Sequence, residues 1–419
     1  MKYPITPDYI KSAPKPIEKL FQRLEEWILQ DICERFKVSE TATDTAIEQI
    51  RVLQRRGYSY KDIKKFIQQT VKLSDAQYDT IMQDAIQRNQ RYYSSVLGEN
   101  MLMQAAFEAQ AMQDEINAII AQTKGTLENI TQSLGFCVKK GGAVTFMPIA
   151  KAYQQILSDA DMRVWSGAQS YSEAIRDSVS QLADSGIRYV TWADDERGVY
   201  HTDHADVAAR RAIMTGITQV SSKFSEQARE AVPTEYMEIT AHQGARDKDR
   251  AGIPWANHKA WQGKVYSTRT ADKYPSVYEV CGWGDVQGLE GANCRHLHYP
   301  FWDGISERTY TDQELANIDP PPCTYQGKKY TAYQATQKQR QIERELRKVK
   351  RELICYDAIG DKQAYQTTAI KYGRLNEMYS GFSKAAGLRE QSERGNIAEF
   401  TPADGKKATN AAKNTSAKL

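Results

Sequence analysis

Histidine and cysteine are concentrated in one stretch of this 419-residue sequence, and they are its best candidates for metal binding or proton transfer. All six histidines fall between His201 and His298, an interval that also contains two of the six cysteines. Thiolate and imidazole groups are the usual ligands of tetrahedral zinc. The candidate zinc ligands in this interval are His242, His258, Cys281, Cys294, His296 and His298.

The spacing of these residues does not favour zinc. The interval contains no Cys-x-x-Cys pair, and an extended Cys294-Arg295-His296 segment is expected to turn its two candidate ligands to opposite faces. We therefore expect hydrogen-bonded histidines in a small aromatic core, with no metal and no other cofactor. Structural zinc is the alternative that this pattern leaves open.

A metal-dependent nuclease of the His-Asn-His type is a second hypothesis for the same residues. Such an enzyme needs a general-base histidine and metal ligands on a nearby helix, and Asn257-His258 precedes Asn293-Cys294-Arg295-His296. The helical His-x-x-x-His ligand pair is missing, and Pro300 lies where that helix would have to continue. The sequence also lacks a phosphate-binding loop and a Gly-x-Ser-x-Gly elbow. We predict no catalytic residues and no enzymatic activity.

The composition is ordinary for a soluble protein, and the length indicates more than one folding unit. Net charge is +3, and hydrophobic residues make up 41% of the chain. No apolar run approaches the roughly 20 residues that a membrane-spanning helix needs, and the N-terminus lacks the apolar core of a secretory signal. The length exceeds that of one typical domain, so we expect two or three units and no membrane association.

Hydrophobic periodicity predicts a mainly α fold with a small α+β module. Apolar residues recur every three or four positions from Ile17 onward, whereas IRYVTW and GVYHT around the polar ADDER segment indicate a β-hairpin. Within the helical region we expect separate helices at 60–72 and 75–91, the second capped by Ser74. We also expect one long helix or two joined near Gly125.

Periodicity and composition together predict that the chain divides into successive segments. The helical N-terminal region precedes a compact module rich in Gly, Trp and His, which holds four of the seven tryptophans, and a C-terminal helical hairpin follows. The predicted segments are an extended arm (1–16), a helical region (17–185), a hairpin plus helix linking region (186–233), a compact α+β module (234–306), a Pro-containing linker (307–330), a helical hairpin (331–387) and a disordered basic tail (388–419).

Several unusual strings occur in a fixed order between about Thr202 and Ser306. They read AARRAIMTGITQ, EITAHQGAR, WANHKAWQGKVYS and YPSVYEVCGWGDVQGLEGANCRHLHYPFWDGIS. This stretch resembles the phage minor capsid protein 2 family, a relative of the Mu F-like phage head morphogenesis proteins. The motif residues, for which we predict structural roles, are His242, Arg246, His258, Trp261, Gln262, Gly263, Asn293, Cys294, Arg295, His296, Pro300, Phe301 and Gly304.

The resemblance implies a structural head protein of a tailed bacteriophage. It implies few copies at the portal vertex or in the capsid interior of the virion, with a role in capsid assembly and in DNA packaging or ejection. Before assembly the protein would be in the host bacterial cytoplasm, and its partners would be the portal protein and other head proteins. Mu F-like relatives often carry paired cysteines that are absent around Trp261, which lowers the expectation of a metal. The alternative is a phage-associated metal-dependent nuclease or toxin carrying a head-delivery module.

A basic stretch adds a prediction of weak, non-specific contact with packaged DNA. Between Lys338 and Arg351 seven cationic residues stand against two acidic ones, and more lysines follow in the C-terminal tail. Such charge can neutralise phosphates without reading bases. A solvated helix face is the alternative explanation for the same pattern.

Overall fold

The computed structural model describes residues 3–40, 46–56, 60–97, 101–140, 143–194, 199–248, 250–397 and 400–416. Helices account for most of this structure, and three small antiparallel sheets account for the strands. The predicted fold class, mainly α with a small α+β part, is confirmed. In the stretches that the structure describes, every helix is too short or too polar to cross a bilayer.

The helices vary from single turns to long rods. In chain order they are α1 (Pro7–Ser12), α2 (Lys15–Glu40), α3 (Ala46–Arg56), α4 (Tyr60–Leu97), α5 (Met101–Glu108), α6 (Gln110–Gln132), α7 (Ile149–Trp165), α8 (Tyr171–Ser185), α9 (Ala205–Ala231), α10 (His258–Trp261), α11 (Val277–Cys281), α12 (Asp312–Ala316), α13 (Ala332–Ile359), α14 (Lys362–Ala385), α15 (Ser392–Gly395) and α16 (Pro402–Ser416).

The strands form sheets with the orders β2-β1-β3-β4, β6-β5-β7 and β8-β9, and all neighbouring strands are antiparallel. They are β1 (Leu134–Lys140), β2 (Ala143–Pro148), β3 (Arg188–Asp194), β4 (Val199–His204), β5 (Tyr236–Ile239), β6 (Val265–Ser267), β7 (His298–Phe301), β8 (Cys323–Tyr325) and β9 (Lys328–Tyr330). Strands β3 and β4 lie where the sequence predicts a hairpin, while residues 195–197 of its predicted turn, and the glycine that follows them, lie outside the described residues.

Two compact units make up the chain, and each combines three separate segments. Unit 1 consists of Met1–Ile17, Ser74–Leu127 and Ala209–Thr336. Unit 2 consists of Glu18–Leu73, Glu128–Ala208 and Gln337–Leu419. The sequence analysis predicts successive segments instead. Periodicity is a local property, so it does not reveal which distant segments share a core.

The first residues of unit 1 differ from the extended arm predicted for 1–16. Helix α1 begins at Pro7, and the side chain of Thr6 caps it by accepting a hydrogen bond from the backbone N–H of Tyr9 at 3.2 Å. Proline fits the first turn because its fixed φ is helical and its missing N–H would have no helical partner there. Ile5 and Ile10 are fully buried, so this segment contributes to the core of unit 1.

Three features of the predicted helical region also differ from the structure. Helix α4 runs unbroken through Ser74, whose buried position shows that a good capping residue need not end a helix. Of the two predicted alternatives, one long helix or two joined near Gly125, neither is found: the two helices separate at Ala109, and α6 continues through the glycine. Strands β1 and β2 form a hairpin within the same region, although the sequence analysis predicts only helix there.

The C-terminal segment, predicted to be disordered from 388 onward, contains helix α16. Phe400 and Ala408 are buried, and the ring of Phe400 lies 5.5 Å from that of Tyr372 on α14. Its start is capped by Thr401, whose hydroxyl accepts from the backbone N–H of Asp404 at 3.3 Å. A few buried apolar side chains therefore order a segment whose average composition is polar.

Candidate functional site

Three potential ligands from two parts of unit 1 converge in the small β6-β5-β7 sheet module. His258 begins α10, and Cys294 and His296 lie in the loop before β7. The Sγ of Cys294 lies 3.7 Å from Nδ1 of His258 and 3.4 Å from Nδ1 of His296. The expectation that Cys294 and His296 face opposite ways is wrong, because side chains two residues apart in an extended segment point to the same side.

Hydrogen bonds on the far side of each imidazole fix its protonation. Nε2 of His258 lies 2.9 Å from the carbonyl oxygen of Gln287, which can only accept, so Nε2 is the protonated nitrogen. Oε1 of Gln262 accepts from the backbone N–H of His242 at 3.0 Å and lies 3.0 Å from Nε2 of His296. This Nε2 must donate as well, so both histidines present an unprotonated Nδ1 to the sulfur of Cys294.

Aromatic rings enclose the cluster and hold the imidazoles in place. The ring of His242 stacks on that of His296 at 4.4 Å, and the ring of Trp261 makes an edge contact with His296 at 4.9 Å. Trp261 is only 1% exposed, and its indole N–H donates to the carbonyl of Trp255 at 2.9 Å. Trp261, with the partly buried Trp283 against it, therefore belongs to a packed core in this segment.

Burial dominates the electrostatics of the cluster. It lowers the pKa of His258 to about 4, against a hydrogen bond to Gln287 that raises it, and lowers the pKa of His296 well below its ordinary value. Burial also raises the pKa of the Cys294 thiol to about 11. Without a bound cation, the protein therefore holds neutral imidazoles and a protonated thiol at neutral pH.

Two motif residues adopt left-handed backbone conformations that shape the cluster. Gly263 has φ of +72°, and a Cβ there would lie 2.3 Å from Cδ2 of Leu315, so a larger residue is both strained and crowded. Asn293 has φ of +60°, a conformation that asparagine tolerates better than most residues. It directs the chain into the loop that carries Cys294.

The two motif arginines flank the cluster rather than enter it. Nη2 of Arg295 lies 3.1 Å from Nδ1 of His242, and the guanidinium can only donate. Nη1 of Arg246 donates to the carbonyl of Gln287 at 3.5 Å, the same oxygen that accepts from His258. Both arginines thus hold the groups that orient the histidines.

The last three motif residues lie apart from the cluster. Pro300 and Phe301 are in β7, where they pair with Met237 and Tyr236 of β5. Gly304 follows the strand with φ of +79°, and open space surrounds the position of its missing Cβ. Their roles are in the sheet and in the turn that follows it.

Sequence reasoning missed Gln287 and Glu290, which support neighbouring histidines. Gln287 acts through its backbone carbonyl, so its side-chain type carries no signal. The carboxylate of Glu290 accepts from Nδ1 of the buried His298 at 2.9 Å and from the indole N–H of Trp283 at 3.3 Å. The sequence clue to this second, separate pair is the position of an acidic residue a few residues before the histidine-rich string.

Comparison with known proteins identifies the family. A model of the phage minor capsid protein 2 family matches residues 5–377. A structural protein of Lactococcus phage LL-H is 27% identical over 256 residues, which cover 59% of this chain and 60% of that protein. A structural protein of Lactococcus phage mv4 is 29% identical over 92 residues, which cover 21% of this chain and 63% of that protein.

Each match spans less than two thirds of the relative's own length. No solved structure matches the chain significantly. The family model nevertheless extends over both units, from the first helix of the chain to the second helix of its C-terminal hairpin. The chain therefore belongs to the phage minor capsid protein 2 family.

Proposed function

We propose that this chain is a structural head protein of a tailed phage, present in few copies at the portal vertex or in the head interior. The observation that carries the proposal is the family match over residues 5–377. In this role the protein takes part in capsid assembly and in DNA packaging or ejection. It is located in the virion, and in the host cytoplasm before assembly.

An exposed apolar face on α7 supports contact with the portal protein or another head protein. Met162 and Trp165 are 70% and 73% exposed. Because they are three residues apart on one helix, their side chains lie on the same face. Clustered exposed apolar side chains are typical of protein interaction sites. We infer that this face of unit 2 contacts another head protein.

The proposed contact with DNA rests on fewer cations than the sequence indicates. Arg347, Lys350 and Arg351 of α13 are buried within unit 2, where the first forms an ion pair with Asp206. Buried cations cannot reach phosphates. The proposal therefore relies on exposed side chains such as Arg344 on α13 and Lys406 and Lys413 on α16, and it predicts weak, sequence-independent binding.

Purified virions of the phage that encodes the chain provide the direct test. Quantitative mass spectrometry should find the protein at far fewer copies than the major capsid protein, and a reconstruction without imposed symmetry should place it at one vertex or inside the head. Co-expression with the portal protein should yield a complex that survives size-exclusion chromatography. Absence of the chain from purified virions would overturn the proposal.

A further inference from the structure

We propose that His258, Cys294 and His296 bind one zinc ion, which joins α10 to the loop before β7. Within the described part of the chain, this is the one group of three or more His, Cys, Asp or Glu side chains close enough to hold an ion. The proposal departs from the structural-packing role that the sequence predicts. It does not depend on the proposed role in the virion.

The distances among the three ligand atoms fit tetrahedral zinc. With Zn–S of about 2.3 Å and Zn–N of about 2.0 Å, tetrahedral angles place sulfur and nitrogen about 3.5 Å apart. The observed separations of Cys294 Sγ from the two Nδ1 atoms, 3.7 Å and 3.4 Å, lie on either side of that value. All three ligand atoms lie within 4.8 Å of one another.

The protonation of the histidines favours a cation over a hydrogen-bonded thiol. Nδ1 of His258 and Nδ1 of His296 both direct lone pairs at Cys294, because each ring donates its other N–H to an amide oxygen. A thiol has one proton and can satisfy only one of these nitrogens. A zinc ion would accept both lone pairs and the thiolate together.

The surroundings match those of known zinc sites. Histidine ligands usually donate their second N–H to a carbonyl or carboxylate, which orients the ring and makes it a better ligand. His258 does so to Gln287, and His296 does so to Gln262. The backbone N–H of His296 lies 3.4 Å from Cys294 Sγ, where it can stabilise a thiolate. Soft sulfur and imidazole donors select zinc over hard cations such as Mg²⁺ or Ca²⁺.

A water molecule is the expected fourth ligand. His258, Cys294 and His296 are 3%, 5% and 1% exposed, so they are shielded from bulk solvent. The described residues bring three side-chain ligands together, so a water completes the four positions of a tetrahedral ion. The burial of all three ligands favours a structural ion over a catalytic one, which would need an accessible open position.

Metal analysis of the full-length chain tests the proposal. Protein purified without chelators and dialysed against zinc, then against metal-free buffer, should retain one zinc per chain by plasma mass spectrometry. Cys294→Ser should lose that zinc. Cys281→Ser and His298→Gln are matched controls, since both residues are buried in the same module outside the cluster, and both variants should keep it. Zinc-free wild-type protein, or full retention by Cys294→Ser, would refute the site.

Cobalt substitution gives a second readout that does not depend on how well the variants fold. Wild-type protein stripped of metal and loaded with Co²⁺ should show a thiolate-to-cobalt charge-transfer band and the intense visible bands of tetrahedral cobalt. The melting temperature of the stripped protein should rise on addition of zinc, because a ligand that binds only the folded state stabilises it. Cobalt binding without a thiolate band would place the ion elsewhere and overturn the assignment.

Discussion

Glu25 on α2 and Arg351 on α13 form a buried ion pair in unit 2, with Nη1 of Arg351 3.2 Å from Oε2 of Glu25. Their side chains are 9% and 3% exposed. Oε1 of Glu25 also accepts from the backbone N–H of Ile187 at 2.7 Å, and Nε of Arg351 donates to the carbonyl of Ala183 at 2.9 Å. The pair therefore joins α2 and α13 to the end of α8 and to Ile187 just before β3, although more than 300 residues separate its members.

Removal of Arg351 should destabilise the protein strongly. Arg351→Met leaves the Glu25 carboxylate buried without its cation, and the loss of one partner of a buried pair typically costs about 3 to 5 kcal/mol. Urea denaturation followed by circular dichroism measures the change in unfolding free energy. The control is Lys407→Gln, which breaks an exposed pair with Asp357 and should cost less than about 1 kcal/mol. Equal effects of the two substitutions would contradict this interpretation.

The same pair should make stability depend on pH. Burial raises the pKa of Glu25, but attraction to Arg351 and to the nearby His204 outweighs burial and holds this pKa well below its ordinary value. The contribution is therefore complete above the unfolded pKa of about 4.3 and is lost as the pH falls toward the folded value. The difference in unfolding free energy between wild type and Arg351→Met should shrink below about pH 4. A difference that stays constant with pH would assign the stabilisation to packing alone.

Trp261 and Trp165 offer a matched pair of large-to-small substitutions. Trp261→Ala should cost about 3 to 5 kcal/mol, because the side chain is 1% exposed in the core of the sheet module. Trp165→Ala should change stability by less than about 0.5 kcal/mol, because that side chain is 73% exposed. Thermal and urea melts of the full chain separate these outcomes.

Trp165→Ala also tests the proposed contact face on α7. If this face binds another head protein, the variant should fold normally but be incorporated poorly into virions. Quantification of the chain in particles from a phage carrying the substitution, relative to the major capsid protein, measures the effect. Normal incorporation of Trp165→Ala would remove α7 from the proposed interface.

The sequence predicts features that depend on local periodicity and misses those that depend on contacts between distant segments. Helices α2 and α13 follow from apolar stripes, and the β3-β4 hairpin follows from β-prone runs on either side of a polar turn. The convergence of His258 with Cys294 is not predictable in this way, because it depends on how α10 packs against a loop 36 residues later.

In the candidate site, too, the sequence predicts some features and misses others. The residue types that form it were all recognised, because histidine, cysteine and tryptophan are distinctive in this stretch. The protonation of His258 depends on the backbone carbonyl of Gln287, and a carbonyl has no sequence signature. Likewise, the sequence places Arg347 and Lys350 in a basic run that could be a surface, but in the structure both side chains are buried. Arg347 forms an ion pair with Asp206, and Lys350 donates a hydrogen bond to the carbonyl of Gly395.

The cluster should not support DNA hydrolysis. A phosphodiester cannot reach side chains that are 1% to 5% exposed, so neither histidine of the cluster can act as a general base on such a substrate. Supercoiled plasmid incubated with the full chain and Mg²⁺, Mn²⁺ or Zn²⁺ should stay intact on a gel. Metal-dependent nicking that disappears in His258→Ala would establish a nuclease in place of a structural site.

Weak DNA binding should depend on exposed lysines of α16 and should be measured in the full chain. A truncation at Gly387 is unsuitable because it removes Phe400 and Ala408 from the core of unit 2. The double substitution Lys406→Gln with Lys413→Gln removes two exposed cations without changing that core. If both lysines contact phosphates, the slope of log K against log salt should become less steep by about 2, whatever the DNA sequence.

The matched control for this experiment is Lys407→Gln on the same helix. Lys407 already pairs with Asp357 at 2.6 Å, so its removal should change DNA binding less than removal of Lys406 and Lys413. Fluorescence anisotropy with two unrelated DNA duplexes over a range of salt concentrations gives both the affinity and the slope. Binding by the double variant that equals wild type at every salt concentration would show that α16 is a solvated helix face. The proposed DNA contact would then have to be withdrawn from this part of the chain.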